Sequence, residues 1–154
     1  MKQRVKAYLL LLCLFLGLTG PVAHGTELVV IVPASSPIEH LTLKQLARIY
    51  RRKILLGPSG TPWFPLNLPA THPLRTAFSK KVLGRLPEEM ETYWNTQYFK
   101  GILPPYVVAS EEAMQQYVRS TPGAVGYVPA CRLNGQVKVV AILPLPKIPN
   151  LDCQ

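Results

Sequence analysis

The stretch Leu28 to Val32 reads Leu-Val-Val-Ile-Val, apolar at every position. A strand with one wet face alternates apolar and polar residues, whereas a strand covered on both faces does not. The run therefore predicts a strand over Glu27 to Val32 inside a sheet with material on both sides, ended by Pro33 to Pro37. The next segment supplies a covering helix. Thr42 and Gln45 have capping-box spacing and Leu41 with Leu46 can form a hydrophobic staple. Leu43, Leu46, Ala47, Ile49 and Tyr50 give an apolar side. Arg51, Arg52 and Lys53 then suit the negative end of the helix dipole, read as a solvated helix end.

The pattern repeats along the chain. Trp63 to Leu68 is a strand that Pro65 marks as short or at an edge. Pro73 opens a helix carrying Leu74, Ala77, Phe78, Lys81 and Val82, with Gly84 as its stop and Thr71 as its cap. Pro87 opens another, with Glu88, Glu89 and Glu91 at its positive end and Met90, Tyr93, Trp94 and Tyr98 as a stripe expected to pack in the core. Tyr106 to Ala109 is a strand, and Ser110 caps a helix running to Ser120. Thr121-Pro122-Gly123 turns into the strand Ala124 to Val128, and Asn134-Gly135 is a hairpin signal before Val137 to Leu143. Strands alternating with helices predict an α/β sandwich around a mixed sheet over 26–143. Residues 144–154 hold Pro144, Pro146 and Pro149 and read as an extended surface tail.

Residues 1–25 read as an address. Lys2, Arg4 and Lys6 precede the apolar stretch Tyr8 to Leu18, and Ala23-His24-Gly25 places small residues where a signal peptidase cuts. Cys13 lies inside that apolar stretch behind Leu12, which does not fit a lipidation site. Cleavage after Gly25 predicts a periplasmic or secreted chain, not membrane-embedded, since no later run reaches the ~20 apolar residues of a spanning helix. Removing the three leader cations lowers the basic count from 17 to 14 against 8 acids, so the charge falls from +9 to about +6. The basic runs Arg51 to Lys53 and Lys80-Lys81 lack interleaved aromatics, so no nucleic-acid partner is expected. In an oxidising compartment Cys131 and Cys153 are expected to form a disulfide.

Catalysis finds little support. The cleaved chain has a single aspartate, Asp152, two histidines, His40 and His72, and no GxSxG elbow. The histidines lack HExxH spacing, and no Walker loop or dinucleotide fingerprint is present, so neither metal nor cofactor is expected. The candidate site is instead for a small anion. Thr71, His72 and Arg75 stand at a helix start, where free N–H groups and the dipole favour negative charge. Arg75 adds a forked donor, and Ser35 and Ser36 add hydroxyls from the loop after the first strand. In open α/β sheets ligands sit beyond strand carboxyl ends, and that rule selects both loops. The plainer reading makes Thr71 a cap, His72 a loop residue and Arg75 a surface charge.

The order of KQLARIY, a Trp-containing strand, LPxxxxLRxAF, YWxxxxFxG, SEEAM and TPGAVGYV, over about Glu27 to Val140, resembles the phosphate-type substrate-binding proteins of ABC importers. The resemblance implies one lobe of a type II periplasmic binding protein and a non-catalytic role. In full-length relatives the loop before the second helix carries an arginine, an aspartate and a Ser-Gly-Thr run around the phosphate. Here Leu68 to Leu74 reads Leu-Pro-Ala-Thr-His-Pro-Leu, without that signature. Two functions follow as expectations: a solute-binding-like protein that holds a small, phosphate-like anion weakly, or an interaction module for an envelope protein that kept the fold and lost the site.

Overall fold

The computed structural model describes residues 26–148 and 151. The expected signal peptide and Cys153 lie outside these. The described chain runs β1 (Thr26–Pro33), α1 (Leu43–Tyr50), β2 (Phe64–Asn67), α2 (Pro73–Phe78), α3 (Glu91–Tyr98), β3 (Tyr106–Val107), α4 (Glu111–Ser120), β4 (Ala124–Pro129) and β5 (Val137–Leu145). The strands form one mixed sheet in the order β3-β2-β4-β1-β5. β1 pairs antiparallel with β4 and β5, while β2 runs parallel to β4 and β3. The α/β expectation holds. Leu28 to Val32 are all buried, as an apolar run between two strands and two helical layers must be.

Local chemistry sets the helix ends. Thr42 and Gln45 form the capping box of α1, and Ser110 Oγ accepts the Ala113 N–H at the start of α4. α2 has Pro73 at its first turn, continues as a π turn over Ser79–Leu83, and stops at Gly84 in the left-handed region. Gly123, with φ +77°, is required twice over: a Cβ there would stand 2.0 Å from the Pro62 carbonyl oxygen. At the centre Phe78 stacks on Tyr127 with ring centroids 3.9 Å apart, and Tyr50 closes on Phe78 at 4.6 Å.

Several expectations are corrected. β2 is short, as Pro65 implies, and it is interior rather than at an edge; the proline is tolerated there because β3 pairs only with Leu66 and Asn67 and leaves the level of Pro65 uncovered on that side. Asn134-Gly135 makes no hairpin, since β1 lies between β4 and β5. β5 runs on through Pro144 to Leu145, a proline tolerated on an edge strand, and Ile148 and Leu151 are buried rather than riding the surface. The aromatic stripe packs only in part: Met90 is buried, Tyr93 and Trp94 are half-buried, and Tyr98 is exposed. The basic end of α1 is tied down rather than free. Arg51 Nη2 donates to the Leu83 carbonyl at 2.8 Å and Arg52 Nη1 to the Trp63 carbonyl at 2.8 Å.

Candidate functional site

Strand direction decides which candidate residues can meet. β1 opposes β4, and β4 accompanies β2, so the carboxyl end of β1 lies at the amino ends of β2 and β4. Ser35 and Ser36 therefore stand at one end of the sheet, in a cleft of about 150 Å³ with Trp63 and Gly123. Thr71, His72 and Arg75 follow the carboxyl end of β2 at the other end, about 13 Å away at ~3.3 Å per strand residue. Ser36 therefore does not converge with Thr71 and Arg75 on one point, and the five candidate residues divide between the two ends of the sheet. The carboxyl-end rule brings two loops together only where their strands are parallel, and β1 and β2 run in opposite directions.

At the β2 end three segments lock together. His72, not Thr71, caps α2: its Nδ1 accepts the Leu74 N–H at 3.2 Å, and Thr71 is exposed. An accepting Nδ1 leaves the ring proton on Nε2, which faces Glu111 Oε1 at 3.6 Å. Glu111 is buried at the start of α4, and its Oε2 accepts from Arg132 Nη1 at 3.0 Å. One turn on, Gln115 donates to the Arg132 carbonyl at 3.0 Å and accepts the Asn134 N–H at 2.8 Å. Behind them Tyr127 Oη donates to Asn67 Oδ1 at 3.2 Å and accepts the buried Leu68 N–H at 3.3 Å.

Arg75 sits in the first turn of α2, on the helix that His72 caps. Its Nε and Nη1 are shielded from solvent and find no acceptor among the described residues. Burial pushes its guanidinium below the usual arginine range, an effect offset in part by the phenols of Tyr127 and Tyr50. Burial likewise drives both phenols far above the usual tyrosine range, so they act as neutral hydroxyls. Arg132 holds only the Oε2 of the carboxylate beside His72, so the buried polar side-chain atoms left without a hydrogen bond among the described residues are Arg75 Nε and Nη1, Glu111 Oε1 and Ser79 Oγ, and the two arginine nitrogens are the unspent donors of charged type. Glu111, Arg132, Asn67 and Tyr127 were not singled out from sequence. Nothing local marks them, because Arg132 is 21 residues from Glu111 and Tyr127 is 60 from Asn67.

The chain has the fold of one lobe of a phosphate-type substrate-binding protein. It superposes on a Clostridium perfringens protein assigned as a phosphate ABC transporter substrate-binding protein and solved with bound phosphate, with a TM-score of 0.62 at 19% identity over 77% of this chain and 46% of that one. An ABC-type phosphate transport receptor from Vibrio cholerae gives 0.58 at 19% identity over 77% and 47%. PstS from Borrelia burgdorferi gives 0.59 at 16% identity over 75% and 47%. The chain thus spans about half the length of each. No family model and no curated relative matches it.

Proposed function

We propose that this chain is an exported, non-catalytic solute-binding-like protein that holds a small oxyanion weakly at the α2 corner through Arg75. One observation carries the reading: a largely buried guanidinium whose Nε and Nη1 have no acceptor among the described residues. A shielded cation without a partner destabilises the fold that contains it, and a buried unpaired group calls for a bound counter-charge. Nε and one Nη of an arginine present the parallel fork that carboxylate and phosphate oxygens match. Two charge-assisted hydrogen bonds at ~1.5–3 kcal/mol each would hold an anion by roughly 3–6 kcal/mol, a dissociation constant between about 10 mM and tens of μM. Glu111 disfavours a second negative charge nearby, and Ser35 and Ser36 contribute nothing at this end of the sheet. Export and a Cys131–Cys153 disulfide belong to the same reading.

Isothermal titration with phosphate, sulfate and acetate against the wild type and Arg75→Met tests it. Methionine keeps the stem and removes the charge, so the variant should lose all anion heat while unfolding no more easily than the wild type. Anion heat that persists in Arg75→Met, or that is absent from the wild type up to tens of millimolar, would remove the proposal.

A further inference from the structure

The described surface carries one large feature that the anion site does not use. From Thr92 to Ser110 the only charged residue is Lys100. Within that segment Phe99 is 88% exposed, and Tyr98, Leu103 and Tyr106 are each exposed by more than half. Phe99 follows the last residue of α3 and is anchored at its backbone by an N–H bond to the Asn95 carbonyl. So exposed a ring on a fixed backbone is a projecting knob. The same segment enters a groove of about 220 Å³ through Leu103, Pro104 and Tyr106, which line it with Phe64, Pro65 and Arg52. The Tyr117 ring lies within 5.8 Å of Phe64 and 5.7 Å of Tyr106, making a wall of three rings. Arg52 is fixed by its bond to the Trp63 carbonyl.

We infer that this face is the interface of a two-fold dimer of the chain, with Phe99 of each copy seated in the groove of the other. The knob and part of the groove belong to one short exposed stretch of chain, with Leu103 four residues after Phe99. A two-fold axis requires that self-complementarity, because whatever one copy offers it must also receive. The volumes agree, since a cavity of about 150 Å³ accepts a benzene ring. Arg52 faces the incoming ring as a fixed cation, an attractive arrangement for an aromatic face. The area also agrees. Phe64, Tyr98, Phe99 and Tyr106 are 40–88% exposed, and at ~200 Å² per ring they present about 500 Å². That is over half of the ~800 Å² each partner contributes to a standard interface, before Leu103, Pro104 and Val107 are added. A surface poor in charge and rich in Tyr and Phe has the composition of an interface core.

The test is sedimentation velocity on the full chain, expressed with its own N-terminal segment and purified as the host delivers it, over low to high micromolar concentration. A dimer that dissociates on dilution is expected. Phe99→Ala and Leu103→Glu should each weaken it at least about tenfold. Ile142→Ala, at an exposed position on the opposite edge of the sheet, should leave it unchanged. All three positions are exposed, so their thermal melts should match the wild type and separate lost association from lost folding. A monomer at every concentration overturns the inference, as does a dimer indifferent to both Phe99→Ala and Leu103→Glu. A monomer that binds vesicles of phosphatidylglycerol and phosphatidylethanolamine through Phe99 also overturns it, by giving the face to lipid.

Discussion

Tyr127→Phe removes one oxygen and leaves the ring stacked on Phe78, so its effect reports hydrogen bonding rather than packing. The hydroxyl serves two buried groups: it accepts the Leu68 N–H at 3.3 Å and donates to Asn67 Oδ1 at 3.2 Å. Leu68 is fully buried and Asn67 is 3% exposed, so water cannot take the hydroxyl's place. A buried group left unsatisfied costs about 1–3 kcal/mol; both contacts are long, which places the total near the lower end, about 2–3 kcal/mol. Tyr50→Phe is the control. The Tyr50 hydroxyl shares one proton between the Leu66 and Val125 carbonyls at 3.1 Å each, and an under-satisfied carbonyl is better tolerated than an orphaned N–H, so the loss should be about 1 kcal/mol. Urea unfolding of the three proteins, with unchanged m-values, gives the comparison. Tyr127→Phe within about 0.5 kcal/mol of wild type, or a larger loss for Tyr50→Phe, would refute this account of the sheet end.

Three further outcomes are expected. Gly123→Ala should cost at least about 2 kcal/mol in urea, because the new methyl meets the Pro62 carbonyl oxygen at a residue with φ +77°; a variant as stable as wild type would show that the Thr121–Gly123 turn yields. A double-mutant cycle of Glu111→Gln and Arg132→Gln should give a coupling of about 1 kcal/mol, reduced by the 44% exposure of the Arg132 side chain, and a coupling of zero would make the pair incidental. If Cys131 and Cys153 are joined, non-reducing mass spectrometry finds the chain lighter by about two hydrogens, and reduction lowers stability by about 3 kcal/mol, the loop-entropy value; alkylation of both cysteines without reductant would contradict it.

The elements were legible where local chemistry governs them. The capping box at Thr42, the Ser110 cap, the Gly84 stop and the buried character of Leu28 to Val32 follow from a few neighbouring residues, and the structure repeats them. What failed depends on direction and order across the sheet. Asn134-Gly135 carries a hairpin signal, but β1 occupies the place between β4 and β5. Pro144 and Pro146 suggest a surface tail, yet the free edge of β5 accepts the first, and Ile148 and Leu151 find apolar ground beyond. The same gap divided the site. Ser36 and Arg75 both follow strands, and only the antiparallel course of β1 sends them to opposite ends. Arg75 was legible as a donor at a helix start. Its burial was not, because the groups that shield it come from distant parts of the chain.

The measurement closest to the central claim is the ¹H–¹⁵N resonance of Arg75 Nε, followed as phosphate is added. The atom is shielded and has no acceptor among the described residues. Its proton should therefore exchange slowly enough with water to be seen, and should move when an oxygen arrives. A saturable downfield shift of that one signal, matched by sulfate and absent in Arg75→Met, is the predicted result. A signal that stays in place while phosphate rises to tens of millimolar would contradict the assignment of this corner as an oxyanion site.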